Sequence, residues 1–214
     1  MGRIDDLANR YVDEWAPLDP IGATFAGVAG YDHDLGDLSP DGHAAQADLD
    51  RRTLATLAGL EPHGESERVA KEAMQERLTI ALERYAAGEV TGQLNVIAGA
   101  LHGVRSVFDL MPVDGEAAAV NIASRLRQVP RALGQVKQSL NYAADQGHIS
   151  ARAQILEVAK QCDTWTDPAG DNDILFPNGS EWIAGGSAAP TSTPTSTATV
   201  TATPTGAASS RSRG

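Results

Sequence analysis

The sequence predicts an all-α protein, an irregular helical domain followed by a disordered low-complexity tail. Three observations carry this. Apolar residues recur at helical spacing through most of residues 1–172, no run shows period-two alternation rich in β-branched residues, and from about Asp173 the composition changes. No internal repeat at a fixed period is visible, so a regular solenoid is not expected.

Ile4, Leu7, Ala8, Tyr11, Val12 and Trp15 fall at offsets of 0, 3, 4, 7, 8 and 11, one apolar stripe of a helix that Pro17 and Pro20 end. Trp15 completes this stripe and is expected to be buried. Pro20 then opens the next turn, where its missing N–H costs nothing. Ser39-Pro40-Asp41 is a similar start signal for a helix through Leu49, Leu54 and Leu57. From about Glu65, residues Val69, Ala70, Ala73, Leu78, Ala81, Leu82 and Tyr85 mark a long helix that Gly88 closes, with alternating charge on its outer face. Asp114 is placed to cap a helix carrying Val120, Ala123, Leu126 and Val129. Pro130 predicts a break near Val129 before Leu133, Val136, Leu140 and Ala143 resume the pattern. Gly147 reads as a C-cap and Ser150 as the next N-cap. Ile155, Val158, Ala159, Cys162 and Trp165 mark the last helix, with Cys162, the sole cysteine, as a small hydrophobe on its face.

Two segments are expected: a helical region over residues 1–172 and a tail over residues 173–214. The stretch after Gly185-Gly186 is built almost wholly of Ala, Thr, Ser and Pro and lacks the apolar residues to fold alone. A glycosylated stalk would need an export context that the N-terminus does not offer, since Asp5 and Asp6 interrupt any signal-peptide stretch. A frame shift in GC-rich DNA yields the same residue types and is the preferred origin.

Of 28 acids all precede Ile183, against 15 of the 17 lysines and arginines. Such an acidic body repels phosphates and anionic lipid, so neither nucleic acid nor membrane is an expected partner. No stretch approaches the ~18 apolar residues of a membrane span. The expected location is cytoplasmic. Arg125, Arg127 and Arg131 read as a solvated helix face.

No catalytic, cofactor-binding or metal-ligating residue is assigned. His33, His43, His63, His102 and His148 lie at least ten residues apart, and none begins a His-Glu-x-x-His pair that sets two zinc ligands on one helical face. Asp32-His33-Asp34 is the densest polar cluster, but turn propensity accounts for it. The glycines of Gly22-Ala-Thr-Phe-Ala-Gly27-Val-Ala-Gly30 lack the Lys and Ser or Thr of a phosphate loop and read as sites of close helix packing, as do Gly99 and Gly103. Asn178-Gly179-Ser180 is a chance glycosylation match.

Three stretches resemble a known family. They are Trp15-Ala-Pro-Leu-Asp-Pro20-Ile-Gly-Ala-Thr-Phe-Ala-Gly27 with Tyr31-Asp32-His33-Asp34-Leu35 and Leu38-Ser39-Pro40, then Val107-Phe108-Asp109-Leu110-Met111-Pro112, then Arg125-Leu126-Arg127-Gln128-Val129-Pro130 through Gln161-Cys162-Asp163-Thr164-Trp165. In this order they resemble the N-terminal part of the bacterial DUF885 family, of an actinobacterial type, over roughly residues 4 to 172. The resemblance implies kinship with zincin metallopeptidases, in which a downstream His-Glu followed by Pro-Gly-His holds zinc and supplies the base. This chain has no His-Glu, so no functional residue carries over. The expectation is a truncated N-terminal portion, inactive alone, with no cofactor of its own and a C-terminal catalytic half as partner. The alternative is a free-standing helical binding module with a flexible tail.

Overall fold

A computed structural model describes residues 2–166, and the tail expected over 173–214 lies outside the described residues. Among the described residues there are eight α-helices, a 3₁₀ turn and no strand. They are α1 (Arg3–Trp15), α2 (Pro20–Phe25), α3 (Pro40–Ala58), α4 (Glu65–Ala86), α5 (Glu89–Gly92), α6 (Ala100–Ser106), the 3₁₀ turn Val107–Leu110, α7 (Glu116–Asp145) and α8 (Arg152–Thr166).

Two helix starts follow the local signals. Asp19 caps α2 by accepting from the Gly22 N–H at 2.8 Å, with Pro20 in the first turn. Ser39 caps α3 through the Gly42 N–H at 3.3 Å, again with proline next. At the end of α7 the chain reverses in a Schellman arrangement. The Gly147 N–H donates to Ala144 O and the His148 N–H to Ala143 O, with Gly147 at φ 87°.

Three expectations fail here. Pro130 does not break α7, which runs unbroken through it. The proline removes one donor to the Leu126 carbonyl, but Leu126 and Pro130 are both exposed, so water can replace that bond. Asp114 makes no cap; Gly115, at φ 90°, precedes the helix instead. Ser150 does not cap α8 either, because its hydroxyl donates to Gly92 O at 3.0 Å, and α8 starts two residues later.

Two apolar cores hold the helices. In one, α1, α3 and α4 meet around Ile4, Leu7, Leu57 and Leu60, with Ala70 and Met74 against them. The other gathers Ile21, Leu35, Val104, Val107 and Ala132 from α2, the following loop, α6, the 3₁₀ turn and α7. The first helix's stripe is narrower than its pattern suggests: Ile4 and Leu7 are buried, Val12 is exposed and Trp15 is half-buried. Trp15 packs on Gly22, where a Cβ would lie 2.9 Å from its ring. Along α4 only Glu67 and Leu78 are buried, and Arg68 bridges Glu65 and Glu72 on the outer face.

Candidate functional site

The most elaborate polar construction in the molecule joins α7 to the irregular segment between α2 and α3. An extended loop must find partners for its backbone groups outside regular structure. Here α7 supplies them from residues spaced three and four apart, which share one helical face. Ser124 Oγ and Gln128 Nε2 both donate to His33 O at 2.8 Å. Gln128 Oε1 accepts from the Leu35 N–H and Gln135 Oε1 from the Leu38 N–H, each at 3.3 Å. Gln135 Nε2 donates to Asp37 Oδ1 at 2.7 Å, and Ser139 Oγ donates to Leu38 O at 2.7 Å.

Arg125 is the anchor. It is fully buried, at 0% exposure, which overturns the expectation of a solvated arginine face at this position. Its Nε donates to Asp34 O at 2.8 Å, and its Nη2 reaches Thr24 Oγ1 at 2.8 Å and the carbonyls of Pro20 and Tyr31, each at 3.1 Å. The Thr24 hydroxyl in turn donates to Asp32 Oδ1 at 2.8 Å. Burial lowers the guanidinium pKa, while Asp32 and Asp34 nearby oppose that shift. A planar fork of five donors suits this task, because one side chain gathers carbonyls from the first turn of α2 and from the turn at residues 31–34. Its Nη1 alone is buried without a partner. Arg127 and Arg131 do lie exposed, as expected, and Arg131 reaches Asp34 at 3.4 Å.

Four further titratable groups, Tyr11, Asp19, His43 and Asp50, are removed from water in part or in full. Tyr11 donates to Asp50 Oδ1 at 2.9 Å. Burial first, then the Asp50 charge, push the Tyr11 phenol well above its ordinary range, and burial raises Asp50 as well. Asp19 is raised by burial, against the pull of the Gly22 N–H and His43. His43 is lowered by burial, against Asp37 and Asp19.

The residues singled out from the sequence are not brought together. His33 is exposed, and its backbone rather than its ring is what α7 holds. His102 stacks edge-on against Trp165, 5.7 Å between ring centres. His148 packs over Gly88, while His63 is exposed. Among the described residues no three His, Cys, Asp or Glu side chains converge to hold a metal ion, so the zinc that the resemblance implies does not fit them. Cys162 is half-buried, and burial raises its thiol pKa, which opposes nucleophilic use. Gly22 does sit in a close contact, against Trp15, whereas Gly103 and Gly99 meet Ile21 and Gln93 only at the 3.5 and 3.6 Å of ordinary contact. Gly27 and Gly30 do not: both face open space at φ 74° and 101°, so they serve the backbone turn rather than packing. Asn178-Gly179-Ser180 lies outside the described residues. A cleft of about 510 Å³ opens between the end of α4, α5 and the start of α8, lined among others by Arg84, Gln93, Asn95, His148, Ile149 and Gln154. No helix of the described residues is long and apolar enough to cross a membrane.

Fold and site together define an all-α domain whose polar centre is a structural clamp. The chain belongs to DUF885, a family described as bacterial proteins of unknown function, whose model matches residues 20–209. That span starts later than residue 4 and runs past residue 172, the limits that the motifs suggest. No curated protein matches the chain.

Proposed function

We propose that this chain is the N-terminal helical portion of a metallopeptidase-like DUF885 protein of actinobacterial type, inactive alone and working in the cytoplasm beside a C-terminal catalytic half. The observation that carries the reading is the pairing of family membership with a sequence in which no histidine is followed by glutamate. In the proposed whole, zinc and the base of peptide hydrolysis belong to the downstream half, since a hydrolytic zinc needs about three protein ligands and an open position. The part of this chain is a wall: α7 and the clamped 20–38 segment form a rigid surface. A frame-shift origin for the Thr- and Pro-rich tail rests on composition alone, and the family match, which runs to residue 209, weighs against it.

The test is reconstitution. The purified chain, supplied with zinc, is expected to show no chelator-sensitive cleavage of a peptide library, and addition of a separately expressed downstream half is expected to restore it. Metal-dependent cleavage by the chain alone, lost in His33→Ala, overturns the reading. A downstream DNA sequence that encodes no His-Glu and Pro-Gly-His in any frame favours the free-standing binding module instead.

A further inference from the structure

The most exposed large apolar side chains of the described residues are Ile97, at 85%, and Ile149, at 73%. Both stand in segments that border α8. Ile149 lines the cleft beside α8 together with Leu94 and Asn95, and Val96, itself exposed, accepts a hydrogen bond at its carbonyl from Gln161 Nε2 at 3.0 Å. Loop 94–97 therefore lies along α8, and the helix contributes little cover, since Val158 is its one buried residue.

We propose that this face is the docking surface for the chain's own apolar run Ile174-Leu175-Phe176. Position is the first argument. Gln161 stands five residues before the end of α8, about 7.5 Å along the axis, so the chain leaves α8 close to Val96. The eight residues from Thr166 to Ile174 span at most about 26 to 29 Å when extended, enough to return to the patch. Composition is the second. Ile174-Leu175-Phe176 is the only place in the 214 residues where three large apolar residues follow one another, and such a run is costly in water without a partner surface. Both lie inside the span that matches the family. The proposal does not rest on the peptidase reading.

Hydrogen exchange on the full chain tests it. Amides of 174–176 are expected to exchange at least about tenfold more slowly than an unprotected peptide. In the Ile97→Asp, Ile149→Asp double variant that slowing is expected to vanish, with α3 and α7 unchanged. Reciprocally, Phe176→Asp is expected to speed exchange at Val96, Ile97 and Ala98. Unprotected rates at 174–176 in the parent overturn the proposal, as does slowing that survives the double variant or loop amides indifferent to Phe176→Asp. Slowing that grows with protein concentration assigns the face to a second copy and overturns it too.

Discussion

Arg125 concentrates more structure in one side chain than any other residue described here. Four hydrogen bonds from Nε and Nη2 tie Pro20, Thr24, Tyr31 and Asp34 to one point on α7. Arg125→Ala would remove all four bonds and leave Pro20 O only its Thr24 contacts and Tyr31 O only the Asp34 N–H, a loss of about 3 to 5 kcal/mol with the buried volume vacated. For a chain of this size that lowers the melting temperature by roughly 6 to 20 °C, readable by circular dichroism. Arg125→Lys keeps the charge but not the fork and is expected to recover only part. A melt of Arg125→Ala that overlays the parent would dismiss the clamp. His43 provides a pH signature at the same scale. Burial holds its pKa below the ordinary 6.5, against Asp37 and Asp19, so the unfolded chain takes up this proton first as pH falls. Its contribution is therefore present above about pH 6.5 and is lost as pH drops below that toward its folded pKa. Urea midpoints measured from pH 7.5 to 5 should fall less steeply in His43→Gln than in the parent. Asp19 and Asp50, whose pKa values are raised, work in the opposite sense at lower pH. Trp15, half-buried rather than enclosed, is expected to cost less than the ~3 to 5 kcal/mol of a fully buried aromatic when truncated to alanine.

Among the elements, α7 offers a paired test of backbone conformation. Gly134 sits in its helical interior with open space where a Cβ would go, and Gly147 ends it at φ 87° with equally open space. Sterics are thus matched and only the backbone differs. Gly134→Ala is expected to stabilise by about 0.4 to 1 kcal/mol, and Gly147→Ala to destabilise by about 1 to 2 kcal/mol through the left-handed conformation. Chemical denaturation of the two variants gives both signs, and equal shifts would contradict the Schellman ending. The polar stripe on α7 explains why this helix tolerates so many glutamines and serines on a face turned inward. Ser124, Gln128, Gln135 and Ser139 replace a missing strand partner for residues 33–38. Their helical spacing was in the sequence all along. What hid them is that a polar residue on an inward face looks the same as one facing water until its acceptor is known.

Among the described residues taken together, apolar packing is divided between two modest cores rather than gathered in one. Leu57, fully buried in the α1–α3–α4 core, is expected to lose about 2 to 5 kcal/mol on truncation to alanine, whereas Val120, exposed on α7, should change stability by less than about 0.5 kcal/mol. Comparable costs for the two would mean that the described helices pack against something further. The sequence by itself determined the helical class, the helix start at Pro20, the cap at Ser39, the turn at Gly147 and the family, because each depends on residues within a few positions of one another or on short ordered motifs. Only the tertiary structure decided that Pro130 stays inside a helix, that Ser150 serves Gly92 rather than α8, and that Arg125 is buried while Arg127 and Arg131 are not. Arg125 meets partners 91 to 105 residues away and Ser150 one 58 residues away, while Pro130 is tolerated because its side of the helix faces water; local spacing carries the period of a helix but not the identity of what lies across from each face.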